Sequence, residues 1–258
     1  MFTLDKWYLD LVTDDGTALI GYAAELRWHA FDLHYAALLE SQPGATPHEH
    51  ATIRKVKPPE LAGDHLTWVC EPLRVSGEWL RLAPPVGETL LDSPAGTIEW
   101  SCLLPRARAS LEVGGRRHEG LGYVERLHLT IAPWEFPFRA LRWGRHLSGA
   151  HALVWIEWDG EVSRRWAWLD GRFQPSARVA PGGVTGLEKG MELRWDADRD
   201  VRRRSVVEAL REMAPALVRG MTGRIGTMDE HKQLSRSALT ANGRMLDSGW
   251  VIHEEVTW

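Results

Sequence analysis

Carboxylates set among apolar side chains are the groups in this sequence whose type and spacing could do chemistry. Over Gly120 to Ile131, strand alternation puts Tyr123, Glu125, Leu127, Leu129 and Ile131 on one face and Val124, Arg126, His128 and Thr130 on the other. Glu125 is then a carboxylate in an apolar row. Taken out of water without a partner, a carboxyl group tends to keep its proton, because desolvation disfavours the charged form. Such a group suits general acid catalysis; the alternative is a Glu held by an arginine or facing solvent from a sheet edge. The C-terminal strand repeats the situation, with Trp250, Ile252, Glu254, Val256 and Trp258 on one face. Asp10, between Tyr8 and Val12 on one face of the first strand, is a third candidate, against a purely structural cap.

Protonating an isolated alkene requires an acid in a dry pocket, with aromatic faces nearby to stabilise the cation that forms. Glu125, Glu254 and Asp10 are the expected catalytic residues, and two carboxylates in one cavity would push their pKa values apart. Trp7, Tyr22, Tyr123, His128, Trp143, Trp155, Lys232 and Trp250 are the expected substrate walls. His128 and His146 flank the central motif and could order a water. Glu230-His231-Lys232 reads as a polar loop, either solvated charge or a lysine of lowered pKa able to act as a Schiff-base amine. His48-Glu49-His50 can put two imidazoles on one strand face, but no third ligand is evident, and no metal site is expected. Nor is a cofactor: there is no nucleophile elbow or phosphate loop, and Gly120-x-Gly122 lacks the third glycine and the helix of a dinucleotide site.

The elements that must hold these residues read as short strands. Trp7 to Val12 and Ala18 to Trp28 flank Thr13-Asp14-Asp15-Gly16, a hairpin signal because Asp-Gly tolerates positive φ. Phe31 to Glu40, Leu66 to Val75, Glu78 to Leu82, Thr97 to Leu104 and Ala107 to Val113 follow, punctuated by glycine and proline. Gln42 to Pro59 reads as mainly irregular, with room for a short strand over Ala51 to Val56. After the Pro133 and Pro137 break come Arg139 to His146, His151 to Trp158, Arg165 to Leu169, Val179 to Val184, Gly190 to Trp195 and Gly249 to Trp258. Val206, Leu210, Met213 and Leu217 recur at helical spacing, predicting a short helix near 205–219. Strands at this spacing suggest meanders that close on themselves, which removes unpaired edges.

The chain of 258 residues is 44% hydrophobic and 26% charged, ordinary for a globular protein, and long enough for one large barrel or two domains. A net charge of -4 gives no nucleic-acid footprint, and Arg202-Arg203-Arg204 reads as a solvated face. Fourteen tryptophans suit a sheet core or a cavity for a bulky apolar ligand. Cys70 and Cys102 have no metal-type spacing, and the first residues lack a basic stretch followed by an apolar run. A cytoplasmic protein with free thiols is therefore expected, with a hydrophobic small molecule as partner; peripheral membrane contact and oligomeric state stay open.

Trp7-Tyr8-Leu9-Asp10 followed by Asp14-Asp15-Gly16, with Gly120-Leu121-Gly122-Tyr123-Val124-Glu125 at the middle, resembles the hydroxyneurosporene synthase or carotenoid 1,2-hydratase family. After the motif, where members often carry a polar, Asn- or Trp-containing segment, this chain has Arg126-Leu127-His128-Leu129-Thr130. The resemblance implies an all-β, calycin or lipocalin-like fold of two tandem antiparallel barrels or half-barrels, here divided as 1–117 and 118–258. It also implies a hydrophobic ligand and an acidic role for Glu125, since members add water to isoprenoid double bonds and similar folds occur in cyclases and pericyclases. The expected activity is that of a lyase or isomerase acting by general acid catalysis on an apolar isoprenoid or polyene-like molecule. The alternative is a lipocalin-like carrier that holds such a molecule unchanged.

Overall fold

The computed structural model describes residues 2–161, 163–196, 199–205 and 228–257. Two compact units divide the chain, 1–132 and 133–258. The first contains β1 (Phe2–Val12), β2 (Ala18–Trp28), β3 (Phe31–Ser41), β4 (His48–Thr52), β5 (Glu60–Ala62), β6 (His65–Cys70), β7 (Val75–Arg81), β8 (Val86–Ser93), β9 (Gly96–Val113) and β10 (Arg116–Leu129). The second contains β11 (Phe138–Ser148), β12 (Ala152–Gly160), β13 (Arg164–Leu169), β14 (Arg172–Phe173), β15 (Arg178–Ala180), β16 (Gly183–Thr185), β17 (Met191–Trp195), β18 (Arg199–Ser205), β19 (Asp229–Ala241) and β20 (Arg244–Thr257).

Each unit is one antiparallel ten-stranded sheet, and the two sheets follow the same path. The first runs β4-β3-β2-β1-β10-β9-β7-β6-β5 with β8 added on β9; the second runs β14-β13-β12-β11-β20-β19-β17-β16-β15 with β18 added on β19. The expected boundary at 117/118 cuts β10 near its start. That strand pairs with β1 along Leu4 to Val12 and closes the first sheet, so the units meet at 132/133. The all-β tandem architecture is as expected; the helix predicted near 205–219 falls, from residue 206 on, outside the described residues.

Local chemistry accounts for the hairpins. At the β1–β2 turn, Gly16 takes φ 87° and the Thr17 amide donates to Asp15 Oδ1 at 3.0 Å, while Gly114 and Gly115 (φ 56° and 87°) turn β9 into β10. Pro105 does not end its strand. β9 runs through it, where the sequence suggested two separate strands, because two register shifts against β10 fall there: Gly122 opposes Ala107, Val124 opposes Leu104 and Glu125 opposes Cys102. A bulge has a position without a ladder hydrogen bond, which is where a sheet tolerates proline.

The apolar core lies on one face of each curled sheet. In the first unit Leu9, Leu11, Leu38, Leu66, Trp68, Trp79, Leu104 and Val124 pack together. Trp68 of β6 rests on Gly21 of β2 so closely that a Cβ there would come within 2.6 Å of the indole, although β1, β10, β9 and β7 stand between the two strands in the sheet. This face is therefore the concave one. Trp79 crosses the same space and its indole N–H donates to the Asp10 carbonyl at 2.8 Å. In the second unit Leu153, Trp155, Leu169, Leu193, Trp195 and Val251 form the matching cluster, with Trp155 stacked on Trp195 at 5.3 Å.

Two polar segments depart from expectation. Glu230-His231-Lys232 lies inside β19 rather than in a loop, and Arg202 in β18 is buried with its Nε 3.1 Å from Glu230 Oε1, whereas Arg203 is exposed as a solvated face requires. A buried strand face can hold charge when each charge meets an opposite one, and sequence alternation does not reveal that pairing.

Candidate active site

Pairing register assembles the site on the face of the first sheet opposite the packed core. Tyr22 of β2, Tyr8 of β1, Glu125 of β10 and Cys102 of β9 are direct cross-strand neighbours in one row. One step along, Asp10 opposes Tyr123. The Tyr8 ring meets Tyr22 edge-on at 5.5 Å and Tyr123 at 6.0 Å, and Lys6 Nζ sits 5.4 Å from the Tyr22 ring centre. Tyr8, Asp10, Tyr22, Cys102 and Tyr123 are all buried.

Glu125 is the polar centre of this row. Its Oε2 accepts the Tyr123 hydroxyl at 2.6 Å and the Trp100 indole N–H at 2.6 Å. The sequence predicted an acid without a partner; the structure instead has a carboxylate oxygen receiving two donors. Burial pushes the Tyr123 phenol well above its usual 10, reinforced by the neighbouring Cys102 and Glu125 charges. Burial likewise pushes the Cys102 thiol up, ahead of a smaller opposing contribution from its hydrogen bond with Tyr123. Both groups hold their protons at neutral pH, so Tyr123 is the donor and Glu125 the acceptor.

The bulges beside Pro105 make this arrangement. Leu104 joins the concave core opposite Val124, whereas Cys102 and Trp100 belong with Glu125 and Tyr123, so the strand changes which parity faces inward between them. Trp100 and Cys102 were missed by sequence reasoning for that reason. Their signal, alternation over Thr97 to Leu104, was visible, but the offset that sets them beside Glu125 was not.

Of the other expected site residues, Tyr22, Tyr123 and Asp10 join Glu125. Trp7 and His128 do not. They lie across the sheet at the open end of the concave face, where a cleft of about 350 Å³ is lined by Asp5, Trp7, Glu25, His34, Val56 and Arg126. Arg126 pairs there with Asp5 and stands 5.6 Å above the Trp7 ring, while His128 Nδ1 is 3.5 Å from Asp5 Oδ2.

In the second unit Glu254 occupies the place of Glu125, opposite Trp143 of β11 and Lys232 of β19. It forms an ion pair with the fully buried Lys232, whose Nζ lies 5.2 Å from the Trp143 ring centre. Glu254 is thus not a second isolated acid, and Lys232 is not a free amine. Trp250 lies 4.1 Å beneath the Arg236 guanidinium, and Trp155 is spent in the core against Gly144. His146 belongs to this unit, buried with Nδ1 2.9 Å from Ser237 Oγ.

At the sheet edge, β4 pairs with β3 so that Glu40 opposes His48, and ligand atoms of Glu40, His48 and His50 lie within 4.8 Å of one another. A third side chain of ligand type, not evident in the sequence, is therefore on the adjacent strand.

Against solved structures the chain aligns along nearly all its length. It covers 99% of itself and 88% of CghA at 12% identity and a TM-score of 0.58. With an AttH-like protein from Nitrosomonas europaea the values are 99% and 92% at 11% identity and 0.54. With kievitone hydratase from Nectria haematococca they are 98% and 88% at 9% identity and 0.54. The chain has the tandem lipocalin-like fold. No family model matches it, and no curated protein sequence does either. Within the tandem lipocalin-like fold, the row around Glu125 is carried by the pair β1–β10 that closes the first repeat, and the ion pair of Glu254 by the corresponding pair β11–β20. No helix among the described residues is long and apolar enough to cross a membrane.

Proposed function

We propose that this protein is a cofactor-independent lyase or isomerase that moves protons on an apolar small molecule of isoprenoid or polyene-like character, with Glu125 and Asp10 as its acid–base pair. The observation that carries this reading is Glu125 Oε2, held by Tyr123 and Trp100 on a buried face rich in tyrosine. Asp10 opposes Tyr123, so the two carboxyl-bearing positions are diagonal neighbours about 7–8 Å apart across β1 and β10. Glu125, positioned by its two donors, accepts a proton from substrate or from attacking water. Asp10 returns a proton to the neighbouring centre, and the Tyr8, Tyr22 and Tyr123 rings supply the apolar and cation-stabilising walls.

The fold neighbours support the class of reaction. One of them is a hydratase, and CghA has been solved with Sch210972 bound. A carrier would hold its ligand inside the curled sheet, where Trp68, Trp79, Leu104 and Val124 are packed together and the cleft of about 350 Å³ beside Trp7 lies on the face opposite the Glu125 row. A molecule copurifying with the protein, identified by native mass spectrometry and incubated with fresh enzyme, is expected to be converted. Glu125→Gln should slow conversion by roughly 10²–10⁴-fold. Recovery of that molecule unconverted, or full activity in Glu125→Gln, would overturn the assignment.

A further inference from the structure

The concave-side edge of the first sheet carries a group with no part in the chemistry above. His48 and His50 are two residues apart on β4, the last strand of the sheet, so both imidazoles stand on one face, and both residues are exposed. Glu40 on β3 opposes His48 directly, and its carboxylate is on the same face. The two Nε2 atoms are 3.0 Å apart, and His48 Nε2 is 3.8 Å from Glu40 Oε1. A tetrahedral zinc ion with bonds of about 2.0–2.1 Å has neighbouring ligand atoms about 3.3–3.4 Å apart, between the two observed separations. Glu49 does not compete for this face, since its carboxylate accepts from Tyr35 at 2.8 Å.

We propose that Glu40, His48 and His50 form a binding site for a divalent transition metal of the zinc type, with two imidazole nitrogens, one carboxylate oxygen and an open fourth position filled by solvent. Two nitrogens and one oxygen favour zinc and its neighbours over calcium or magnesium, which select oxygen donors. Without metal, one ring must carry its hydrogen on Nε2 to donate to the other; with metal, both rings take the Nδ1–H tautomer and present lone pairs. Another His-carboxylate group nearby, Glu25, Asp32 and His34, is a poorer site because Arg27 already donates to Glu25 from Nε at 3.0 Å and forms an ion pair with it. Metal at Glu40 and His48 would tie the short edge strand β4 to β3.

The test is titration of the full chain with Zn²⁺ by calorimetry, with Co²⁺ absorption reporting coordination geometry. One Zn²⁺ is expected at this site, with a tetrahedral Co²⁺ spectrum. His50→Gln and Glu40→Gln should each weaken Zn²⁺ binding by at least about tenfold. His50 lies on the exposed edge strand and Glu40 on the strand next to it, so either variant serves if the other does not fold. Binding unchanged in Glu40→Gln would leave only a surface histidine pair and overturn the three-ligand site. Binding unchanged in His50→Gln, or no stoichiometric Zn²⁺ binding by the wild-type chain, would overturn it as well.

Discussion

Glu125 and Glu254 stand at the same place in two sheets of one topology, yet Glu125 receives neutral donors from Tyr123 and Trp100 whereas Glu254 is paired with the buried ammonium of Lys232. The cross-strand neighbour on the ninth strand of each unit makes the difference: Cys102 faces Glu125, and Lys232 faces Glu254. In the function proposed above, a neutral neighbour suits the first carboxylate to proton transfer, whereas the second is held in an ion pair.

Neutralising the two glutamates should therefore have unequal effects on stability. Glu254→Gln removes one member of an ion pair and leaves Lys232 buried, which costs about 3 kcal/mol, the lower end of the usual range because Glu254 is partly exposed. Glu125→Gln keeps an oxygen for Tyr123 and Trp100 and exchanges two charge-assisted hydrogen bonds for neutral ones, about 1–2 kcal/mol. Denaturant unfolding followed by hydrogen exchange in β20 and β10 compares them. Equal losses would show that Lys232 does not depend on Glu254.

Tyr123→Phe removes the phenolic donor from Glu125 with little change of volume. Activity should fall, and the double variant with Glu125→Gln should be no worse than Glu125→Gln alone, because the phenol acts through the carboxylate. Additive losses in that cycle would mean that Tyr123 acts on substrate independently.

Acid should destabilise the second unit before the carboxylates titrate. Burial, with the Arg145 charge adding to it, lowers His146 to about 3, and burial with the His231 and Lys232 charges lowers His253 to about 4. His146 Nε2 has no hydrogen-bond partner among the described residues, as suits a neutral ring. Between these values and the unfolded value of 6.5, the unfolded chain binds a proton that the folded chain does not. Stability is then fully present above about pH 6.5 and falls as pH drops towards 4 and 3, by about 1.4 kcal/mol per pH unit for each histidine. Asp200 and Asp247, also lowered, contribute only near and below their unfolded value of 3.8. Unfolding free energies from pH 7.5 to 5 should slope accordingly, and His146→Gln with His253→Gln should flatten the slope. A slope unchanged in that double variant would count against the assignment.

Overpacking the second core is a direct check on where the concave face lies. A Cβ at Gly144 would come within 2.1 Å of the Trp155 ring, so Gly144→Ala should destabilise by about 1–3 kcal/mol, seen as a lower thermal midpoint. Gly149→Ala, with nothing within 4 Å of the added carbon, should stay near the wild-type value. Matching effects at the two positions would mean that Trp155 does not pack as described.

The sequence by itself determined many of the strands and turns and the parity of side chains along those strands, although it read Glu230 to Lys232 of β19 as a loop and β9 as two strands. Asp15-Gly16 and Gly114-Gly115 set two hairpins through local backbone freedom, and alternation placed Tyr123 with Glu125 and Tyr8 with Asp10. The resemblance of the Gly120 to Glu125 motif led to the tandem lipocalin-like fold. Tertiary structure alone decided which parity faces the packed interior: the apolar row of Tyr123 and Glu125 lies opposite the core, and the row of Val124, Arg126 and His128 lies on the core side. It also decided the register, which depends on partners far away in the chain. Two shifts beside Pro105 brought Trp100 and Cys102 to Glu125, and long-range pairing brought Glu40 to His48 and Lys232 to Glu254. Alternation with period two is a property of a single strand; the identity of the neighbour across the ladder belongs to the folded sheet.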